Sequence, residues 1–139
     1  MGNRVGESCE YVQTTHDILI TVKPYYLDEQ SSPEKSHYVF AYEIKIENQG
    51  AETVQLRNRH WRITDGRGHT QEVRGAGVVG EQPTLGPGER FEYTSGAPLS
   101  TDSGFMVGSY EMVTDGGEHF EVSIPAFSLD SPFASKRLN

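Results

Sequence analysis

The chain has 139 residues, a formal net charge of -8 at pH 7 and 35% hydrophobic residues. This length is enough for one domain with a core of its own, so neither a disulfide nor a metal is needed for stability. The acidic balance disfavours nucleic acids and anionic membranes as partners, because it would repel phosphate groups. The single cysteine, Cys9, cannot form an internal disulfide, which fits a reducing compartment.

The N-terminal segment is polar and lacks the apolar run of a secretory signal. No window approaches the roughly 18 uninterrupted apolar residues that a membrane-spanning helix requires. We therefore expect a cytoplasmic protein that does not enter a membrane, with residues 1–13 flexible.

Apolar and polar residues alternate from Thr15 to Leu27, which predicts the first strand. Pro24 cannot donate a ladder hydrogen bond, so we expect this strand to lie at a sheet edge or to end there. A polar loop follows at residues 28–36. The clearest strand runs from Tyr38 to Glu47, because its aromatic and aliphatic side chains alternate with charged ones.

The next strand carries a predicted irregularity. Leu56 and Trp61 have opposite parity, so both can face the core only if a β-bulge lies near residues 58–60. Residues 65–68, Asp-Gly-Arg-Gly, have the composition of a hairpin turn. A short strand at residues 70–73 then leads into a glycine-rich segment.

Three further strands are predicted in the second half of the chain. One begins at Phe91, one runs from Gly104 to Thr114, and the last runs from Phe120 to Ile124 and ends before Pro125. Gly108 interrupts the alternation of the second and predicts room for a neighbouring side chain there.

These seven to eight short strands, without a helical period between them, predict an all-β protein with an antiparallel β-sandwich. We expect one domain over residues 1–139, with the sandwich at 14–127 and a C-terminal tail at 128–139. The predicted core consists of inward-facing apolar and aromatic residues: Ile20, Phe40, Tyr42, Ile44, Trp61, Phe91, Tyr110 and Val122.

Gly75, Gly77 and Gly80 have the G-x-G-x-x-G spacing of dinucleotide-binding proteins. That motif requires a helix at its last glycine, whereas the Pro- and Gly-rich residues 83–88 follow here and cannot lie within one helix. The loop could be an anion-binding nest of backbone N–H groups. Alternatively, the glycines take positive φ angles so that the loop crosses the end of the sandwich, with residues 78–79 plugging the core. We favour the second interpretation, because few cations lie nearby in sequence.

At residues 75–96, GAGVVGEQPTLGPGERFEYTSG, the chain resembles the ApaG family. Three other segments agree with this resemblance: YVFAYEIKIEN at 38–48, the HW-x-I-T-D-x-x-G hairpin at 60–68, and G-x-M-x-G-x-Y-x-M at 104–112. The similarity extends from about residue 14 to residue 133, nearly the whole chain.

The resemblance implies a fibronectin type III-like, immunoglobulin-like sandwich. The family occurs as a stand-alone bacterial protein and as a domain of eukaryotic F-box and polymerase-delta-interacting proteins. Its bacterial name carries an association with cobalt resistance and magnesium efflux, and no enzymatic activity comes with it.

A metal site is conceivable at the turn between the last two strands. Asp115, Glu118 and His119 surround two glycines there and could offer oxygen and imidazole ligands to a divalent ion. The same residues fit an ordinary hairpin turn, which we favour, and we expect no cofactor.

The sequence contains no convincing catalytic set. Thr94 and Ser95 lack the G-x-S-x-G elbow that exposes a nucleophilic serine, and Cys9 lies in a segment that cannot hold a partner base close to it. We therefore expect a protein that is not an enzyme.

The favoured function is a non-catalytic, cytoplasmic protein-interaction module of the ApaG type, with a protein partner or a second copy bound at loops and strand edges. The alternative is a protein that binds a divalent cation or a pyrophosphate- or nucleotide-type metabolite. The candidate binding residues are those of the glycine segment and of one nearby strand: Gly75, Gly77, Gly80, Glu81, Gln82, Pro83, Thr94, Ser95 and Gly96.

Overall fold

The computed structural model describes residues 4–5 and 10–134, and in this part of the chain ten strands form two antiparallel sheets. Cys9, on which the expected compartment partly rests, lies outside the described residues. Two short 3-10 helices, Asp28–Gln30 and Pro33–Lys35, occupy the predicted polar loop. The strands are β1 (Arg4–Val5), β2 (Tyr11–Thr15), β3 (Ile18–Leu27), β4 (Tyr38–Asn48), β5 (Val54–Asp65), β6 (Thr70–Ala76), β7 (Thr84–Leu85), β8 (Arg90–Leu99), β9 (Ser103–Thr114) and β10 (His119–Asp130).

The two sheets pack face to face, which confirms the predicted sandwich. The first has the order β1-β3-β4-β8, with β2 also paired to β3. The second has the order β10-β9-β5-β6, with β7 also paired to β5. None of the helices in the described chain is long and apolar enough to cross a membrane.

The core fills the space between the sheets and is rich in aromatic rings. Trp61 contacts Tyr42 and Phe127 edge-on, with ring centroids 5.5 and 5.9 Å apart. Of the predicted core, Phe91 alone is only half-buried; it lies near the start of β8, the last strand of its sheet. Gly108 provides the predicted room: a Cβ there would lie 2.5 Å from Cε3 of Trp61.

The register of β5 confirms the predicted bulge. The pairing of β5 with β9 shifts between Leu56 and Asn58, one or two residues before the expected position. Leu56 and Trp61 are both buried as a result, although they differ in parity.

Three predicted boundaries differ from those of the structure, although at Pro24 the alternative of a sheet edge holds locally. Tyr11–Thr15 forms β2, although residues 1–13 were expected to be flexible, and β3 passes through Pro24 to Leu27. The ladder of β2 covers Ile18 to Val22 and that of β1 covers Tyr26 and Leu27, so Pro24 falls between them. The last strand continues past Pro125 to Asp130, where a tail was expected from residue 128, because its register shifts between Ile124 and Phe127.

The two lateral sides of the sandwich differ. On one side β2 meets β10, and the backbone N–H groups of Ser123 and Ser128 lie 3.4 Å from the hydroxyls of Thr15 and Tyr11. The other side is bounded by β8 in one sheet and by β6 and β7 in the other. We call this second side the open side.

Candidate functional site

The G-x-G-x-x-G segment forms a tight turn on the open side. Val78 and Glu81 exchange two backbone hydrogen bonds of 2.8 Å, which leaves Val79 and Gly80 as the central residues of a hairpin turn. Their φ angles are 42° and 82°, the pattern of a type I′ turn. Gly77 also has a positive φ of 65°, and a Cβ there would lie 2.3 Å from the Glu81 carbonyl oxygen.

Gly75 has a different role from the one predicted. It lies in β6 and is not among the described glycines with positive φ. A Cβ at Gly75 would lie 2.8 Å from Nη1 of Arg59, whose guanidinium covers this position. The same Nη1 donates to the carbonyl oxygens of Ala76 and Gly77 at 3.0 and 2.9 Å. Gly75 is therefore a packing requirement of Arg59.

Three of the six N–H groups at residues 77–82 are engaged within the chain. The N–H of Gly77 donates to the Arg57 carbonyl at 2.9 Å, and those of Val78 and Glu81 donate to each other's carbonyls. An anion nest needs several such groups pointing at the ligand. The geometry thus weighs against a phosphate cradle, and β7 rather than a helix follows the turn.

The two valines of the loop do not act together, although both were expected to plug the core. Val78 is fully buried, whereas Val79 is 54% exposed at the tip of the turn. Gln82 supports the loop through a 2.9 Å hydrogen bond from its Nε2 to the Arg57 carbonyl. Glu81 is exposed and Pro83 half-buried.

Thr94, Ser95 and Gly96 lie in the middle of β8 and pair with Glu43, Tyr42 and Ala41 of β4. Since β8 ends its sheet, one of its edges faces the open side.

Two observations show which backbone groups occupy that edge. Asn48 donates to the Glu89 carbonyl, so odd-numbered residues of β8 direct their backbone groups to β4. Pro98 pairs with Val39 in the same unbroken register, and a proline nitrogen is tolerated in a sheet where it faces away from the neighbour. The backbone groups of the even-numbered residues, Thr94 and Gly96 among them, therefore face outward.

Arg59 and three tyrosines join the glycine segment to β8 through the interior. The hydroxyls of Tyr93 and Tyr110 lie 2.5 Å apart, and burial raises the pKa of both well above the ordinary tyrosine value. Burial also raises the pKa of Tyr42, against a hydrogen bond with Ser95 and the charge of Arg59, which both lower it. The charge of Arg59 also lowers the pKa of Tyr93, against the larger effect of burial. Gly75, Gly77 and Ser95 thus adjoin one connected polar cluster.

Sequence reasoning missed Arg59 as the organiser of this cluster. Arg59 and Trp61 are two residues apart in β5, so strand alternation predicts that the Arg59 side chain points to the same, inward face as Trp61. An inward arginine beside a tyrosine-rich core indicates a structural cation that needs carbonyl partners.

The predicted metal residues are not brought together. The described residues include no group of three or more His, Cys, Asp or Glu side chains that could hold a metal ion. His119 instead approaches Glu111, with 3.2 Å between Nδ1 and Oε2. The N–H of Glu118 donates to the Thr114 hydroxyl and that of Gly117 donates to the Thr114 carbonyl, as in an ordinary hairpin turn. The N–H of Asp115 donates to the Thr53 carbonyl.

Comparison with known proteins gives the family. The ApaG domain matches residues 28–114. Protein ApaG of Rhodospirillum centenum is 64% identical over 129 residues, which cover 93% of this chain and 99% of the relative. Protein ApaG of Paramagnetospirillum magneticum is 61% identical with the same coverage. The crystal structure of the ApaA protein from Bordetella pertussis superposes with a TM-score of 0.82 at 52% identity, covering 84% of this chain and 94% of the other. The chain therefore belongs to the ApaG family.

Proposed function

We propose that this protein is a non-catalytic module that binds a protein partner in the cytoplasm, and that the partner binds on the open side. The surface consists of the β8 edge together with the loop at residues 77–83. It contains most of the residues selected from the sequence, and Arg59 holds the loop next to it.

The observation that carries the proposal is the outer edge of β8, which no other strand of the described residues pairs with. It presents outward backbone groups at Arg90, Glu92, Thr94 and Gly96, flanked by the exposed loop. An edge of this kind is a template onto which an extended segment of another chain can add as a strand. The opposite side of the sandwich is covered by the contact of β2 with β10, so strand addition is favoured on the open side.

The loop chemistry supports a protein partner over a phosphate compound. The amides of Gly77, Val78 and Glu81 donate within the chain, and the net charge is -8. A partner that contributes backbone groups and side chains does not depend on either feature.

The test is a substitution that removes the edge without changing the fold. In Thr94→Pro the new proline nitrogen faces away from β4, as the nitrogen of Pro98 already does. The ladder between β8 and β4 therefore stays intact. Thr94→Val is the matched control, because it keeps the N–H and the branched shape. Crosslinking pull-down from the cells that make the protein identifies the partner, which is then purified and titrated against each variant.

We expect Thr94→Pro to weaken binding by about tenfold or more, and Thr94→Val to bind like the unaltered chain. If no protein is enriched over an inert sandwich of equal charge, the interaction function is wrong. If folded Thr94→Pro binds as tightly as Thr94→Val, the proposed edge is wrong. Crosslinking between two copies of this chain at β8 would identify the partner as a second protomer.

A further inference from the structure

Val79 combines two properties that rarely occur together. Its φ is 42°, in the left-handed region, and its side chain is 54% exposed. Four non-glycine residues of the described chain have a positive φ, and the other three are His16, Asp17 and Ser36. Those side chains are polar, and aspartate and histidine tolerate this region, whereas a β-branched side chain there is a genuine outlier.

The fold does not explain the choice of valine. A two-residue type I′ turn favours Asn-Gly, and the second central residue here is already Gly80. Core packing does not compensate the strain, because the buried valine of the pair is Val78. Backbone strain retained at an exposed tip indicates a contact outside the chain.

The surroundings of Val79 suggest what that contact is. The turn leads into Glu81 and Pro83, which line a shallow, open groove of about 550 Å³ together with Glu89 and Arg90 around the start of β8. An exposed aliphatic side chain thus stands beside a groove with more carboxylates than cations.

We propose that Val79 is the apolar anchor of the partner interface and enters a pocket on the protein that binds the open side. The pocket accommodates a branched aliphatic side chain and carries basic residues at its rim, opposite Glu81 and Glu89. This inference rests on the proposed function, because it names the residue that the same partner grips. The positive φ aims the side chain away from the sandwich, where Val78 of the same pair points into the core.

The test compares Val79→Asn with Val12→Asn. Val12 is 55% exposed on β2, so both changes remove an equally exposed valine, but only the first relieves a left-handed backbone. Each variant is measured for thermal unfolding and for affinity to the purified partner that crosslinks to the unaltered chain.

We expect Val79→Asn to raise the unfolding midpoint by about 3 °C and to weaken partner binding by about tenfold or more. Val12→Asn should not raise the midpoint and should leave affinity unchanged. A midpoint for Val79→Asn that stays equal or falls would refute the strain. Unchanged affinity for Val79→Asn, with binding lost in Thr94→Pro, would overturn the anchor and leave the interaction function standing. If neither Val79→Asn nor Thr94→Pro weakens binding, or if no partner is found, both the anchor and the proposed binding surface are overturned.

Discussion

Replacing Gly75 by alanine tests the packing of Arg59 under the glycine segment. The added Cβ would lie 2.8 Å from Nη1 and 2.9 Å from Cζ of Arg59, closer than real contacts allow. The guanidinium must then move away from the carbonyl oxygens of Ala76 and Gly77, which it holds at 3.0 and 2.9 Å. The backbone of Gly75 does not oppose alanine, since it lies in β6 without a positive φ.

The hydrogen bonds of Arg59 set the size of the stability loss in Gly75→Ala, and removing Arg59 should abolish or reverse that loss. A hydrogen bond to a charged group contributes about 1.5–3 kcal/mol, but the half-exposed guanidinium ends a flexible side chain and can exchange part of its bonds for water. We therefore expect Gly75→Ala to cost about 1–2 kcal/mol. In an Arg59→Met background the clash is absent, and the same change should be neutral or stabilise by about 0.4–1 kcal/mol. The coupling between the two positions is therefore about 2 kcal/mol.

Urea unfolding followed by tryptophan fluorescence measures this cycle, because Trp61 is the single tryptophan and is only 3% exposed. Gly77→Ala is the control. Its φ of 65° and a Cβ 2.3 Å from the Glu81 carbonyl oxygen should make it destabilising in both backgrounds. If Gly75→Ala costs the same with and without Arg59, to within about 0.5 kcal/mol, our account of Gly75 is refuted.

Three further outcomes follow from the described contacts. Trp61→Ala should lower the free energy of unfolding by about 3–5 kcal/mol in circular dichroism melts, and a cost below about 1 kcal/mol would contradict its place in the core. Asn48→Ala should cost about 2–3 kcal/mol by urea unfolding, because Nδ2 of this buried residue donates at 3.0 Å to the Leu85 carbonyl; Asn48→Asp should not restore that bond. The pKa of Tyr93 and that of Tyr110 are both raised by burial, so the folded chain binds more protons than the unfolded chain above pH about 10. The stability that these hydroxyls provide is complete below pH about 10 and is lost progressively as pH rises from there toward their higher pKa values in the folded chain. Absorbance titration showing both hydroxyls ionised in the folded protein at pH about 10 would contradict this.

Local patterns predicted the parts of the fold that depend on alternation. The burial of every second residue in β4 follows from period-two patterning, and the bulge followed from the parity of Leu56 and Trp61. Patterning could not show that Tyr11–Thr15 pairs with β3, because those residues are mostly exposed. Their strand conformation depends on hydrogen bonds to β3 rather than on a buried face of their own. Pro125 was taken as a strand end, since a proline normally stops a ladder, but a register shift accommodates it.

The candidate site was predictable to a lesser extent. The segment at residues 75–83 and the residues at 94–96 were expected at a loop-built end of the sandwich; they lie instead on its open side, with residues 94–96 in the middle of β8. The reason for Gly75 was out of reach, because the guanidinium that covers it comes from sixteen positions earlier in the chain. Equally, nothing in the sequence distinguished the buried Val78 from the exposed Val79. Which of the two side chains points into the core depends on the backbone conformation of the turn.

The contact between β2 and β10 fixes where the chain enters and leaves the sandwich. Tyr11 near the start of the fold and Ser128 near its end are close enough for the Tyr11 hydroxyl to lie 3.4 Å from the Ser128 amide. β1 pairs with β3 on this side as well, so both ends of the described chain lie opposite β8. Such a sandwich can be inserted between two other domains, or circularly permuted with a short linker, without anything being placed over the open side. Fusion at either terminus should accordingly be a benign way to tether this fold within a larger polypeptide.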